Sequence, residues 1–113
     1  MLKANLLTAR EGAAVDRFLA GVRRVFGSNL LAVRLFGSKV RGESTPDSDI
    51  DILLEVGEAT LAMEDQAIDI AFDVNLEYDV YISPRVIARS TLNHPVWRLT
   101  GFVQALEREG VHL

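Results

Sequence analysis

Apolar and polar positions change period several times along this chain, and each change marks an element. Ala14, Val15, Phe18, Leu19, Val22, Val25 and Phe26 recur at helical spacing. Thr8 followed by Glu11 makes a capping-box pattern, so the helix is predicted to start behind Thr8 and to stop at Gly27-Ser28. Leu30–Phe36 reads as a buried strand that Gly37 breaks. Residues 38–42 have room for one or two helical turns. Residues 43–48 hold Pro46 among several turn formers and read as a loop. Ile50–Val56 is a second strand, apolar at 50, 52, 53, 54 and 56, with acids at 49 and 51, and Gly57 ends it.

Thr60 is the expected N-cap of a helix with Leu61, Ala67, Ile68, Ala71 and Phe72 on one face. Glu64, Asp65, Asp69 and Asp73 fall largely on the other. Residues 78–82 form a predicted third, short strand, and Ser83-Pro84 a predicted helix start. A last amphipathic helix is expected to begin near Pro95 and to include Val96, Leu99, Phe102, Val103 and Leu106. The order α-β-α-β-α-β-α predicts an α/β (α+β) domain: a small mixed sheet of about three strands flanked by helices. Residues 1–113 then form a single domain, without repeat or linker.

Composition narrows the possibilities. No apolar run approaches the roughly 20 residues of a membrane span, and the start, MLKANLLTAR, lacks a signal-peptide layout. Cysteine is absent, which excludes disulfides and thiolate metal sites and fits a cytoplasmic location. Net charge is −4, and Arg23-Arg24, Arg34, Lys39 and Arg41 are scattered among acids. A protein that grips a long nucleic acid shows a basic stripe, so stable nucleic-acid binding is not expected. A small anionic substrate delivered with a cation fits better.

The chemistry concentrates in LFGSKVRGESTPDSDIDILLEV. Asp49 and Asp51 lie two apart, so both project from one face of the strand while Ile50 and Ile52 point into the core. Paired carboxylates repel each other unless solvated or bridged by cations. Mg²⁺ suits them, since it binds through one or two carboxylates plus substrate phosphates. Taken alone, Asp-x-Asp fits a solvated strand face better than a metal site. Gly37 lets a phosphate approach the backbone, and Ser38 with the N–H groups of the following turn can donate to its oxygens. A plain strand-ending turn also uses Gly-Ser, and no Walker loop is present. Acids at 47, 49 and 51 resemble a calcium loop, but its sixth-position glycine is Ile52, which excludes that reading. Arg41 either steadies phosphates or pairs with Glu43 at the surface, and Lys39 is expected to be solvated. His94 and His112 have no ligand spacing, and Tyr78, Tyr81 and Trp97 suit core or interface packing better than base stacking.

Together, Gly37-Ser38, Arg41-Gly42 and Ser48-Asp49-Ile50-Asp51 resemble the minimal nucleotidyltransferase family of the DNA polymerase β superfamily, whose pattern is Gly-Ser, a spacer, then Asp-x-Asp. The resemblance covers most of the chain. It implies the polymerase β-like nucleotidyltransferase fold, ATP as co-substrate and a two-metal Mg²⁺ site. Asp49 and Asp51 would bind both ions, and a third carboxylate on the next strand would complete the site. Asp79 fits that third position best, ahead of Asp73 and Glu77. Gly37, Ser38 and Arg41 would contact the nucleotide. It further implies a HEPN-domain toxin as partner, with this chain as the antitoxin that transfers AMP to a tyrosine of the toxin. Two alternatives stay open: a non-catalytic antitoxin acting by occlusion, and a small-molecule nucleotidyltransferase of the aminoglycoside-modifying kind.

Overall fold

The computed structural model describes residues 6–42 and 48–113. The predicted loop at 43–48, Ser48 apart, lies outside the described residues. Helix α1 spans Ala9–Phe26 and begins with the full capping box: Thr8 Oγ1 accepts from Glu11 N at 3.1 Å, and Glu11 Oε1 accepts from Thr8 N at 2.9 Å. Strand β1 (Leu30–Phe36), the short helix α2 (Ser38–Arg41) and strand β2 (Ile50–Val56) follow, with β1 and β2 antiparallel. Helix α3 (Leu61–Tyr78) starts behind Thr60, whose side chain accepts from Met63 N. Strand β3 (Ile82–Ala88) runs parallel to β2. Helix α4 (Arg89–Leu92), a 3-10 turn (Trp97–Leu99), helix α5 (Gly101–Glu109) and strand β4 (Val111–His112) complete the described chain. The sheet is mixed, in the order β3-β2-β1-β4, one strand more than the sequence suggested. Among the described residues no helix is long and apolar enough to cross a membrane.

Strand β2 explains the layering. Ile50, Ile52, Leu54 and Val56 face one side, fully buried in a cluster with Val15, Phe18 and Val22 of α1 and Ala67, Ala71 and Val74 of α3. Leu53 faces the other side, against Leu92, Val103 and Leu106. Helices α1 and α3 approach closely at Gly21, where an added Cβ would stand 2.9 Å from Ile70 Cγ2. Glu55 shares the Leu53 face and is buried between Arg34, at 3.1 Å, and Arg89. Burial alone would raise the Glu55 carboxyl, but the two guanidinium groups hold it below its ordinary value.

Four expectations about the elements need correction. The buried face of α3 is Ala67, Ala71 and Val74, whereas Leu61, Ile68, Phe72 and Leu76 are exposed. Small residues let the helix lie close to α1 and the sheet, a demand that side-chain size does not reveal. Residues 78–82 are not a strand: α3 runs to Tyr78, Asp79 caps it in the left-handed conformation (φ 55°), and β3 starts only at Ile82. Ser83-Pro84 thus lies inside an edge strand. The Tyr81 carbonyl accepts from Ile50 N at 2.8 Å, so the backbone groups of residues 82 and 84 turn away from β2. Asn75 takes both outward groups of Ile82, at 2.8 and 3.2 Å, and Pro84 has no N–H to leave unpaired. The last helix begins behind Thr100, not near Pro95, and leaves Val96, before the 3-10 turn, and Leu99, within it, exposed.

Lys39 is buried, not solvated. Its Nζ lies 2.6 Å from Glu11 Oε2, and both side chains are almost wholly enclosed. Burial pushes the Glu11 carboxyl up, but the hydrogen bonds from Lys39 and Thr8 and the Lys39 charge bring it below its ordinary 4.5. Replacing Lys39 by Met should cost about 3 kcal/mol, since Glu11 is left as an unpaired buried charge. A carboxyl lowered by folding stabilises the fold above its unfolded value and loses that contribution as pH falls through the folded one. The resistance of the wild type to urea should therefore fall below pH 4.5. Glu11→Gln should lower stability at neutral pH and flatten that acid dependence.

Candidate active site

The site forms where β1 ends. Phe36 pairs with Asp51 of β2, and Gly37 follows with φ 79° and ψ −152°, a backbone region open essentially to glycine alone. Any Cβ at Gly37 would overlap Asp51 Oδ2, so the Asp51 carboxylate rests directly on the glycine α-carbon. The Gly37 carbonyl accepts from Val40 N at 3.1 Å and Arg41 N at 3.2 Å, which starts α2 with Ser38 half-buried at its first position. Lys39 anchors that helix to α1 from beneath. On its outer side Arg41 NH1 lies 3.7 Å from Glu109 Oε2. Glu43, the pairing considered from sequence, lies outside the described residues.

Asp49 is exposed and Asp51 half-buried. Burial and then the neighbouring Asp49 charge push the Asp51 carboxyl above its usual range, against the pull of Arg85 and Arg41. A cation placed between the two carboxylates removes that repulsion, so this pair with an open glycine beside it fits one divalent ion. On β3 the register sets Ser83 beside Asp51 and Arg85 beside Leu53. The Arg85 guanidinium lies 5.7 Å from the centre of the Phe102 ring, which meets Phe36 edge-on at 5.6 Å. Sequence reasoning missed Arg85, because the strand that carries it was read as a helix start.

Asp79 is not brought to this pair. Its side chain is 87% exposed at the α3 C-terminus and lies 3.9 Å from Arg10 NH1. Asp73 and Glu77 belong to the outer side of the same helix and are exposed. Among the described residues no three His, Cys, Asp or Glu side chains gather where they could hold a metal. Among the described residues the donor set therefore fits a single ion on Asp49 and Asp51 and holds no third carboxylate beside them.

The sequence profile of the nucleotidyltransferase domain family matches residues 15–98, which include the Gly-Ser turn, both acids and β3. This chain belongs to that family. The nucleotidyltransferase is 33% identical over 100 residues to a protein of Methanocaldococcus jannaschii provisionally named a protein adenylyltransferase, covering 88% of this chain and 94% of the relative. Its fold resembles a toxin–antitoxin crystal structure with AMP-PNP (TM-score 0.55, 19% identity, 84% of this chain and 68% of that one). It also resembles spectinomycin adenyltransferase AAD(9) from Enterococcus faecialis, solved with ATP and spectinomycin (TM-score 0.56, 24% identity). There the match covers 74% of this chain and 38% of that one.

The contact between Gly37 and Asp51 gives a direct test on the nucleotidyltransferase. Gly37→Ala forces a side chain into a glycine-only conformation, at about 1–3 kcal/mol, and also displaces the Asp51 carboxylate. Thermal unfolding should shift down by that amount, and nucleotide binding in calorimetry should fall well beyond what the stability loss explains.

Proposed function

We propose that this nucleotidyltransferase transfers AMP from ATP to a protein acceptor, and that the acceptor is a HEPN-class toxin modified on a tyrosine. The observation that carries the transfer reading is the Asp51 carboxylate packed on Gly37, which joins the paired acids to the turn suited to phosphates. The provisional name of the Methanocaldococcus relative and the toxin–antitoxin fold neighbour support the acceptor class. The resemblance to the minimal nucleotidyltransferases supports the HEPN partner, the cytoplasmic setting and Mg²⁺.

Placement supports the following roles. The Gly37 backbone and the Ser38 hydroxyl hold the outer phosphates, with Arg41 at the rim. Asp49 and Asp51 would hold Mg²⁺, which neutralises phosphate oxygens and makes the α-phosphorus more electrophilic. The acceptor oxygen bonds to the α-phosphorus, the bond to the bridging oxygen breaks in line, and pyrophosphate leaves. As in phosphoryl transfer generally, the protein contributes position and electrostatics.

Asp49→Asn and Asp51→Asn should each reduce transfer roughly 100-fold or more, the scale of losing one charge-stabilising contact in a transition state. Asp51→Asn should at the same time raise the unfolding midpoint in the presence of a chelator, because it removes a desolvated charge facing Asp49. Intact-mass spectrometry of a HEPN partner incubated with ATP and Mg²⁺ should show one added AMP. Near-normal transfer by either variant would end the catalytic assignment. An unmodified partner, together with transfer to a small molecule, would move the function to the aminoglycoside-type reading.

A further inference from the structure

The strand beside the two acids carries no acid of its own. Side chains at alternate positions share a face, so Tyr81, Ser83 and Arg85 line the sheet next to Asp49, Asp51 and Leu53. The whole of β3 reads ISPRVIA. Where a third carboxylate on this strand would complete a pair of metal sites, β3 has the Ser83 hydroxyl, and one step further along the same face the Arg85 guanidinium. That guanidinium is held on the Asp51 side by an aromatic floor: Arg85 over Phe102, Phe102 edge-on to Phe36, and Phe36 opposite Asp51.

We propose that the site takes one divalent cation, on Asp49 and Asp51, and that Arg85 supplies the second positive charge by binding the phosphate oxygens of the nucleotide. This rests on the nucleotidyl-transfer reading. Charge balance favours it. Three carboxylates around two divalent ions leave a net charge of one positive unit; two carboxylates around one ion, with Arg85, leave the same. A guanidinium also offers two parallel donors to a phosphate, where a metal ion offers a point charge.

The arrangement constrains the acceptor. A second ion in such sites also lowers the pKa of the attacking hydroxyl, and with one ion that help is missing. A phenol, with an ordinary pKa of about 10, needs it far less than an aliphatic alcohol does. The phenolic proton is released to solvent as oxygen bonds to phosphorus and pyrophosphate departs, so the step balances without a further base. A single-cation site thus favours a phenolic acceptor over an aliphatic alcohol, in line with the tyrosine proposed above.

The test uses the full chain, Mn²⁺ as the probe and a non-hydrolysable ATP analogue. Electron paramagnetic resonance should count one tightly held Mn²⁺ per chain in the nucleotide complex. Arg85→Ala should keep that count and weaken the analogue roughly 10–100-fold by calorimetry, as for loss of charge-assisted hydrogen bonds, and Arg85→Lys should recover part of it. Ser83→Asp, with circular dichroism unchanged, should raise the count to two. Two Mn²⁺ in the wild type, unchanged affinity in Arg85→Ala, or a count still at one in folded Ser83→Asp would each overturn the inference while leaving nucleotidyl transfer intact. A wild type that binds no nucleotide would instead overturn the function proposed above, and this inference with it.

Discussion

A carboxylate that already closes a capping box has little freedom to move, and Lys39 is tied to such a carboxylate. Glu11 accepts from the Thr8 backbone with one oxygen and from Lys39 with the other, both near the N-terminus of α1. Because Lys39 sits in the four-residue helix α2, that pair fixes the turn behind Gly37 to one of the two long helices packed on the sheet. A helix so short has no stability of its own. Its position, and so the position of Ser38 and Arg41, depends on a buried ion pair that would be costly if either partner were missing.

The site shows how the same strand supplies both core and chemistry. Even-numbered residues of β2 complete the main core, so the strand cannot shift by a residue without exposing Ile50, Ile52, Leu54 and Val56. That register places Asp51 against the Gly37 α-carbon. Asp51 is thereby held in a state that is unfavourable without a cation: partly desolvated, and beside the Asp49 charge. Rigidity of the apolar face sustains electrostatic strain on the polar one.

Much of this was legible in the sequence. Local signals were read correctly wherever they were complete in themselves: the Thr8-Glu11 box, the Thr60 cap, and both strands ended by glycine. Gly37 as the turn that ends β1 and Asp51 as a residue of β2 belong to that group, since each placement needs only its own few residues. What failed depended on tertiary context. Ala67 and Ala71 were undervalued against Ile68 and Phe72 because close packing rewards small residues. Pro84 was read as a helix start because the sequence does not show that β3 is an edge with that residue turned outward. Asp79 followed from the same misreading, and Arg85 was hidden by it. Lys39 looked solvated because its partner lies 28 positions away. Strand β4, at two residues, is too short to leave a period.

Asn75 and Pro84 have an effect beyond the local fold. The outward N–H of Ile82 is already taken by the Asn75 side chain, and Pro84 has none, so the first half of the β3 edge offers no donor to an incoming strand. Pairing by a second copy, or by an extended segment of another protein, would have to begin beyond that stretch. This blocked edge is the part of the sheet nearest Asp49 and Asp51. Strand addition is therefore disfavoured at the stretch of the sheet edge that lies beside the two acids.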